Sequence, residues 1–290
     1  MIDALTAIIV AAVVLGSLYA LLAGGLSLIW NTLGVFNYAH GGLLILGGYF
    51  IWTLAVPVGL PVIVAFLIAL PIMAVVGMVL ELAAVRPLLR RPNGQLLVMV
   101  STLAVGNVIQ GLTQVLWGPL DLKIPAITAA TVPIGNVRVA VTSVIALGLA
   151  LVLIIGLIVL LTRTEWGASI RAVEQNREMA LLVGVRPKRV YATVFAIAAV
   201  LACAGALVYG TTSTLTPNAG TGPLLTAFVV LVFGGSATLW GTLVGSFAIG
   251  LLDSATSYWL GLQWSPVFVF LALVIIMLVR PEGLVKGRSK

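Results

Sequence analysis

The sequence predicts an all-α fold: a polytopic transmembrane helical bundle of about eight to nine membrane segments, with an internal structural repeat and interrupted helices. Composition is the first observation behind this. Of the 290 residues, 61% are hydrophobic and only 8% are charged, and a mean hydropathy of +1.23 leaves too little polar surface to coat a soluble globule. The second is that apolar runs close to the roughly 20 residues needed to cross a hydrocarbon core of about 30 Å recur along nearly the whole chain. The third is that these runs are apolar all round: "VIALGLALVLIIGLIVLL" (Val144 to Leu161) lacks the alternation of a transmembrane β-barrel strand. Residues 1–290 therefore read as a single transmembrane domain, with helices at 5–30, 41–56, 61–81, 96–117, 140–162, 191–213, 224–239, 240–260 and 264–280.

The first run reads as a retained helix, not a signal peptide, because the first basic residue is Arg86 and no positively charged n-region precedes it. The second is short for a span and follows "NYAHGG" (Asn37 to Gly42). If that motif opens a helix, Asn37 and His40 share a face and are candidates to line a pathway. A helix cap and a structural histidine are the plainer alternatives. Gly41, Gly42, Gly47 and Gly48 suit close backbone approach. The third run ends at Glu81, about one turn before Arg86, which suggests a local interfacial pair. On the fourth, Asn107, Gln110 and Gln114 stand at i, i+3 and i+7 and form one polar stripe. Amides so placed either line a pore or join helices by hydrogen bonds.

The fifth run leads into a polar loop at about 163–190, in which 169–183 reads as one short helix ending at Gly184 and Pro187. It is too polar to span, and is either a solvated loop helix or an element that docks in a groove of a cytoplasmic partner. The sixth run contains the lone Cys203, read as a small core residue. The seventh is short like the second, bounded by "TPNAGTGP" (Thr216 to Pro223) and "GGSATLWG" (Gly234 to Gly241). Matching interruptions in two halves of a membrane chain point to a translocation pathway built from a repeat, although ordinary tight turns use the same residues. The eighth carries Asp253, an ionisable residue inside a span and hence a functional candidate. Small residues Gly241, Gly245, Gly250 and Ser254 on the same run, with Gly234 and Gly235 before it, suit close helix packing or hinging.

The net charge of +7 is not a nucleic-acid signal, because the basic residues sit where topology rules put them. Arg86, Arg90 and Arg91 form one cluster; Arg163, Arg171, Arg177, Arg186, Lys188 and Arg189 form a second; Arg280, Lys286, Arg288 and Lys290 form a third. The loop with Asp121, Lys123 and Arg138 is poorer in positive charge. Positive-inside logic puts the three clusters and the C-terminus in the cytoplasm and the N-terminus on the periplasmic side. No grouping of His, Cys or acidic residues has metal-ligand spacing, and no residue reads as catalytic.

Taken in order, "GLSLIWNTLGVFNYAHGGLLILGGYF", "GASIRAVEQNREMALLVGV", "FAIAAVLACAGALVYG" and "GGSATLWGTLVGSFAIGLLDS" resemble the LivH-type permeases, inner-membrane subunits of bacterial ABC importers for branched-chain amino acids and related amino acids or amides. The resemblance covers nearly the whole chain. It implies that Gly167, Arg171, Ala172, Asn176, Ala180 and Gly184 match the family's coupling-loop pattern. It further implies a second, LivM-type permease, two ATP-binding subunits on the cytoplasmic face, and a periplasmic solute-binding protein. Two departures stand out: Ala237 where the family has another glycine, and Glu165-Trp166 in place of a more basic approach to the coupling loop.

The sequence has no G-x-x-x-x-G-K-[ST] phosphate loop, and none of its four lysines follows a glycine. A transport subunit without its own ATPase site is therefore expected, binding no cofactor while its partners use ATP and Mg. Alternating access would follow from movement of the 163–190 loop. An ion-coupled secondary transporter would need an ion site, for which Asp253 is the convincing acid. A passive channel would use the amide stripe of Asn107, Gln110 and Gln114 alone.

Overall fold

Hydrocarbon offers no partner to a backbone amide, so each apolar run satisfies its own N–H and C=O groups as a helix. The computed structural model describes residues 2–134, 137–235 and 239–285. Seven helical segments among them are long and apolar enough to cross a membrane. These are α1 (Ile2–Leu33), α3 (Val62–Leu80) with a π-helical extension (Glu81–Val85), α4 (Gly94–Trp117), α5 (Val141–Arg163), α8 (Pro187–Thr212), α10 (Leu239–Trp259), and α11 (Ser265–Val279) with a leading 3₁₀ turn (Leu262–Trp264). Two shorter apolar helices, α2 (His40–Ala55) and α9 (Thr221–Gly234), have 16 and 14 residues. At 1.5 Å per residue they reach only about 24 and 21 Å.

Helix α8 occupies the centre and packs against α1, α2, α3 and α5. Its sequence explains the position. Ala198, Ala199, Ala202, Cys203, Ala204, Gly205 and Ala206 are all buried, so neighbours approach its backbone from every side. Gly77 of α3 lies over the Phe195 carbonyl, and Gly47 of α2 over the Cα of Cys203. Helix α1 runs along α10, where Gly250 meets the backbone of Ala12 and Gly16.

The two short helices are arranged reciprocally: α2 packs on α8, and α9 packs on α1. Their N-terminal ends touch. A Cβ at Gly41 would lie 2.5 Å from the carbonyl oxygen of Gly220, and a Cβ at Gly220 would lie 2.1 Å from that of Gly41. His40 stands beside Gly25 of α1 and Ala198 of α8. Gly25 is eight residues, about 12 Å, back from the end of α1. The 34–39 connection therefore returns into the apolar layer before α2 begins.

The π-helical turn serves an ion pair whose carboxylate is fully buried. Glu81 and Arg86 are five residues apart, which an α-helix would put on different faces; the wider turn closes Arg86 N–H onto the Glu81 carbonyl at 2.7 Å and aligns the side chains. Arg86 Nε and Nη2 then donate to the two Glu81 carboxylate oxygens at 3.1 and 2.6 Å. Arg86 also donates to the Lys188 carbonyl at 3.3 Å, tying the end of α3 to the start of α8.

Three features differ from the sequence reading. An antiparallel hairpin, β1 (Thr131–Ile134) with β2 (Val137–Ala140), pairs Val132 with Val139 in a stretch read as loop; branched residues alternating around Gly135-Asn136 are its sequence signal. The 163–190 loop holds two helices, α6 (Glu165–Gln175) and α7 (Arg177–Leu182), in place of one. Asn176 separates them because its extended backbone (φ −158°) lets its side chain cap the second. Finally, α9 stops at Gly234 where Gly235 adopts φ +97°, five residues before the expected end. Ala237 lies outside the described residues.

Ala in place of Gly41 or Gly220 is expected to separate the two short helices and lower stability by about 1–3 kcal/mol through overpacking. Gly111→Ala and Gly148→Ala, where nothing lies within 4 Å of the added methyl, should leave stability within about 0.5 kcal/mol. Thermal unfolding of the four variants in one detergent measures this; equal effects at all four positions would refute the contact's importance.

Candidate functional site

Three separate groups of polar residues within the helical bundle bear on function. The first lies where α2 and α9 meet. Asn37 and His40 are fully buried. The Asn37 side-chain oxygen accepts the Ala39 N–H at 3.1 Å and its carbonyl accepts the His40 N–H at 3.2 Å, so Asn37 shapes the turn into α2. Its Nδ2 and both ring nitrogens of His40 have no hydrogen-bond partner among the described residues. The Leu22 carbonyl is near enough to act on His40 electrostatically without meeting hydrogen-bond geometry. Helix α4 closes this group, with Thr102 Oγ1 accepting the Tyr38 N–H at 3.2 Å and Gly106 resting on Tyr38 and Ala39. Gly42 faces Ile109 of the same helix at ordinary contact distance.

The second group surrounds Asp253, which is 8% exposed. Its carboxylate accepts hydrogen bonds from three hydroxyls: Tyr19 of α1 at 2.5 Å, Ser257 one turn on at 3.3 Å, and Ser265 of α11. It borders a cavity of about 480 Å³ between α1, α8, α9, α10 and α11, shared with Tyr209, Thr226 and Phe270. Sequence reasoning found the acid and missed its donors. Tyr19 is 234 residues away, and a lone hydroxyl in an apolar helix carries little signal.

The third group is the amide stripe of α4. Asn107 and Gln114 are exposed and Gln110 half-buried, while the face that packs inward is Val98, Thr102, Ile109 and Thr113. None of the three side-chain amides bonds to another described residue. The structure thus keeps this stripe apart from both His40 and Asp253. Of the glycines read as packing or hinge points, Gly234 meets the backbone of Gly241, and Gly245 meets that of Gly234.

Outside the apolar layer, α6 and α7 form a separate polar element between α5 and α8. Thr164 caps α6 by accepting the Gly167 N–H at 3.1 Å, and Gly167 is seated on the Leu160 and Leu161 carbonyls. Ile170 and Val173 face inward. Arg171 is exposed and borders, with Glu174, a cavity of about 210 Å³ that reaches Asn31 of α1 and Trp240 of α10. Ala172 is half-buried beside it. Asn176 Oδ1 caps α7, accepting from the N–H groups of Glu178 (2.9 Å) and Met179 (3.1 Å). Ala180 anchors α7 inward, and Gly184 ends the element at φ +84°. Leu182 and Val183 are 81% and 76% exposed, an apolar tip on an otherwise polar segment.

The family described as "Branched-chain amino acid transport system / permease component" matches residues 8–278. The chain is 27% identical to the high-affinity branched-chain amino acid transport system permease protein LivH of Escherichia coli, over 96% of this chain and 94% of that one. It is 25% identical to the corresponding permease protein BraD of Pseudomonas aeruginosa, over 95% and 93%. It is also 25% identical to a probable branched-chain amino acid transport permease protein of Methanocaldococcus jannaschii, over 94% and 90%.

Tyr19→Phe keeps the ring and removes one donor to the Asp253 carboxylate, so a loss of about 1.5–3 kcal/mol is expected. Tyr209→Phe, which borders the cavity without bonding Asp253, should cost less. Comparing the two melting temperatures checks the assignment, and equal losses would contradict it.

Proposed function

The chain belongs to the family of branched-chain amino acid transport system permease components, and from that premise we infer that it is the membrane-spanning permease subunit of an ABC importer for branched-chain amino acids. It is a multi-pass transport subunit that works with ATP-binding subunits and a solute-binding protein. The observation that carries this reading is the family match across 8–278, which takes in both the helical bundle and the polar α6–α7 element.

The finer assignments are these. The second membrane subunit is a LivM-type permease in the bacterial inner membrane, and two partners hydrolyse ATP with Mg, since this sequence has no phosphate loop. The N-terminus is periplasmic and the C-terminus cytoplasmic. Nine membrane segments with those ends bring all three basic clusters to one side. Helices α1–α2 and α8–α9 form an inverted repeat, supported by the reciprocal packing of α2 on α8 and α9 on α1.

The solute path runs along the amide flank of α4, between this chain and its permease partner. Unpaired amides facing hydrocarbon are costly, so Asn107, Gln110 and Gln114 are better placed against a wet pathway than against lipid. The junction of Asn37 and His40 lies apart from that flank, fully buried behind the inward face of α4, and is a second candidate: there two half-helix N-termini bring the positive ends of their dipoles together, a polarity that suits a solute with a carboxylate. Gly167, Arg171, Ala172, Asn176, Ala180 and Gly184 transmit closure of the ATP-binding subunits through α6 and α7, because both helices are seated on the ends of α5 and α8. Asp253 with its three hydroxyls acts as a fixed point between α1, α10 and α11.

Purification of the tagged chain from its native membranes in mild detergent, with mass spectrometry of what accompanies it, tests the assembly. Two ATPases and a second permease are expected; recovery of the chain alone, where a known ABC complex survives, would overturn it. Arg171→Glu is expected to lower solute uptake at least tenfold while the variant still inserts and elutes as a folded species. Undiminished uptake in that variant would contradict the coupling role of α6.

A further inference from the structure

Six basic side chains, Arg86, Arg90, Arg177, Arg186, Lys188 and Arg189, converge on one cavity of about 460 Å³ between the end of α3, α7 and the start of α8. Arg86 is already paired with Glu81. No carboxylate borders the cavity among the described residues, so the other five cations have no counter-charge there. They also crowd the N-terminus of a 26-residue helix, whose own dipole is positive at that end. Positive-inside placement explains basic residues on this side of the membrane. It does not explain why they line a single concavity against the dipole of α8.

The cavity lies at a membrane boundary, where the span 62–85 ends and the span 187–212 begins. The outer surface of the span that ends at this cavity carries Val75, Met78, Val79 and Leu82 at i, i+3, i+4 and i+7, which are 54%, 38%, 55% and 56% exposed. A basic pocket thus sits at the boundary end of a span whose outer surface is apolar. We propose that this cavity and stripe bind one anionic phospholipid, its phosphate among Arg90, Arg186 and Lys188 and its acyl chains along α3. A free phosphate would use the cations alone, and an acidic protein surface would have no use for a stripe at membrane depth. The lipid would also fix the α7–α8 corner, and so the seat of the coupling element; only this last role rests on the transport reading above.

The test is native mass spectrometry of the full chain in detergent, titrated with phosphatidylglycerol, phosphatidylcholine or inorganic phosphate. The wild type is expected to retain phosphatidylglycerol at least tenfold more tightly than phosphatidylcholine. Arg90→Gln/Arg186→Gln/Lys188→Gln should weaken phosphatidylglycerol on the order of a hundredfold, at about fivefold per charge. Lys123→Gln/Arg138→Gln/Arg280→Gln, which removes the same charge elsewhere, should leave it within about threefold. Should the first triple variant fail to fold, the preference of the wild type for phosphatidylglycerol still decides the matter. No such preference, equal loss in both triple variants, or inorganic phosphate displacing the lipid at equal concentration would each overturn the proposal. So would lipid affinity that survives the first triple variant while the ATP-binding partners are lost from it, which would make the cavity a protein dock.

Discussion

Everything in this molecule follows from where two broken helices can hide their ends. A helix terminus leaves unpaired N–H groups, and within hydrocarbon only protein or enclosed water can meet them. The chain solves this by turning the two ends toward one another at Gly41 and Gly220 and surrounding them with long helices. That solution needs a central helix slim enough to be approached from all sides, which α8 supplies with its run of alanine and glycine. It also needs α1 and α10 to close tightly around the outside, which Gly16 and Gly250 permit.

The same constraint sorts the polar side chains by how their charge or dipole is met. Glu81 is fully buried and held by the fork of a single arginine; Asp253 is met by hydroxyls from three places in the sequence. Both are closed arrangements that pin elements together. Asn37 Nδ2 and the ring of His40 are open arrangements, with bonding capacity left over, and the amides of α4 face outward. Closed clusters hold a bundle in shape, whereas open ones have something to offer a passing polar molecule. That contrast underlies the pathway proposed above.

Much of this was legible in the sequence, for reasons that can be named. Long apolar runs are unambiguous, so the helix expected at 96–117 is Gly94–Trp117 and that at 264–280 is Ser265–Val279. The Glu81–Arg86 pair is local and was readable from spacing alone, though the π turn that aligns it was not. The break at Asn176 was missed because an amphipathic stripe continues across it, and a capping asparagine looks the same in sequence as a helical one. The partners of Asp253 and the outward face of the α4 amides were out of reach, since both depend on which helices become neighbours. The hairpin was readable and was overlooked between two stronger signals.

Helix α8 has a consequence for how the protein is made. It is apolar enough to enter lipid unaided, yet 72% of its most apolar window ends up enclosed by other helices. Four long spans leave the ribosome before it and two follow, so for part of synthesis its seat among α1, α2, α3 and α5 must be filled by acyl chains. Biogenesis of the bundle is therefore an act of lipid eviction: the fifth long segment to be made displaces the bilayer from the middle of its predecessors. Until it does so, α2 stands without the central helix it packs against.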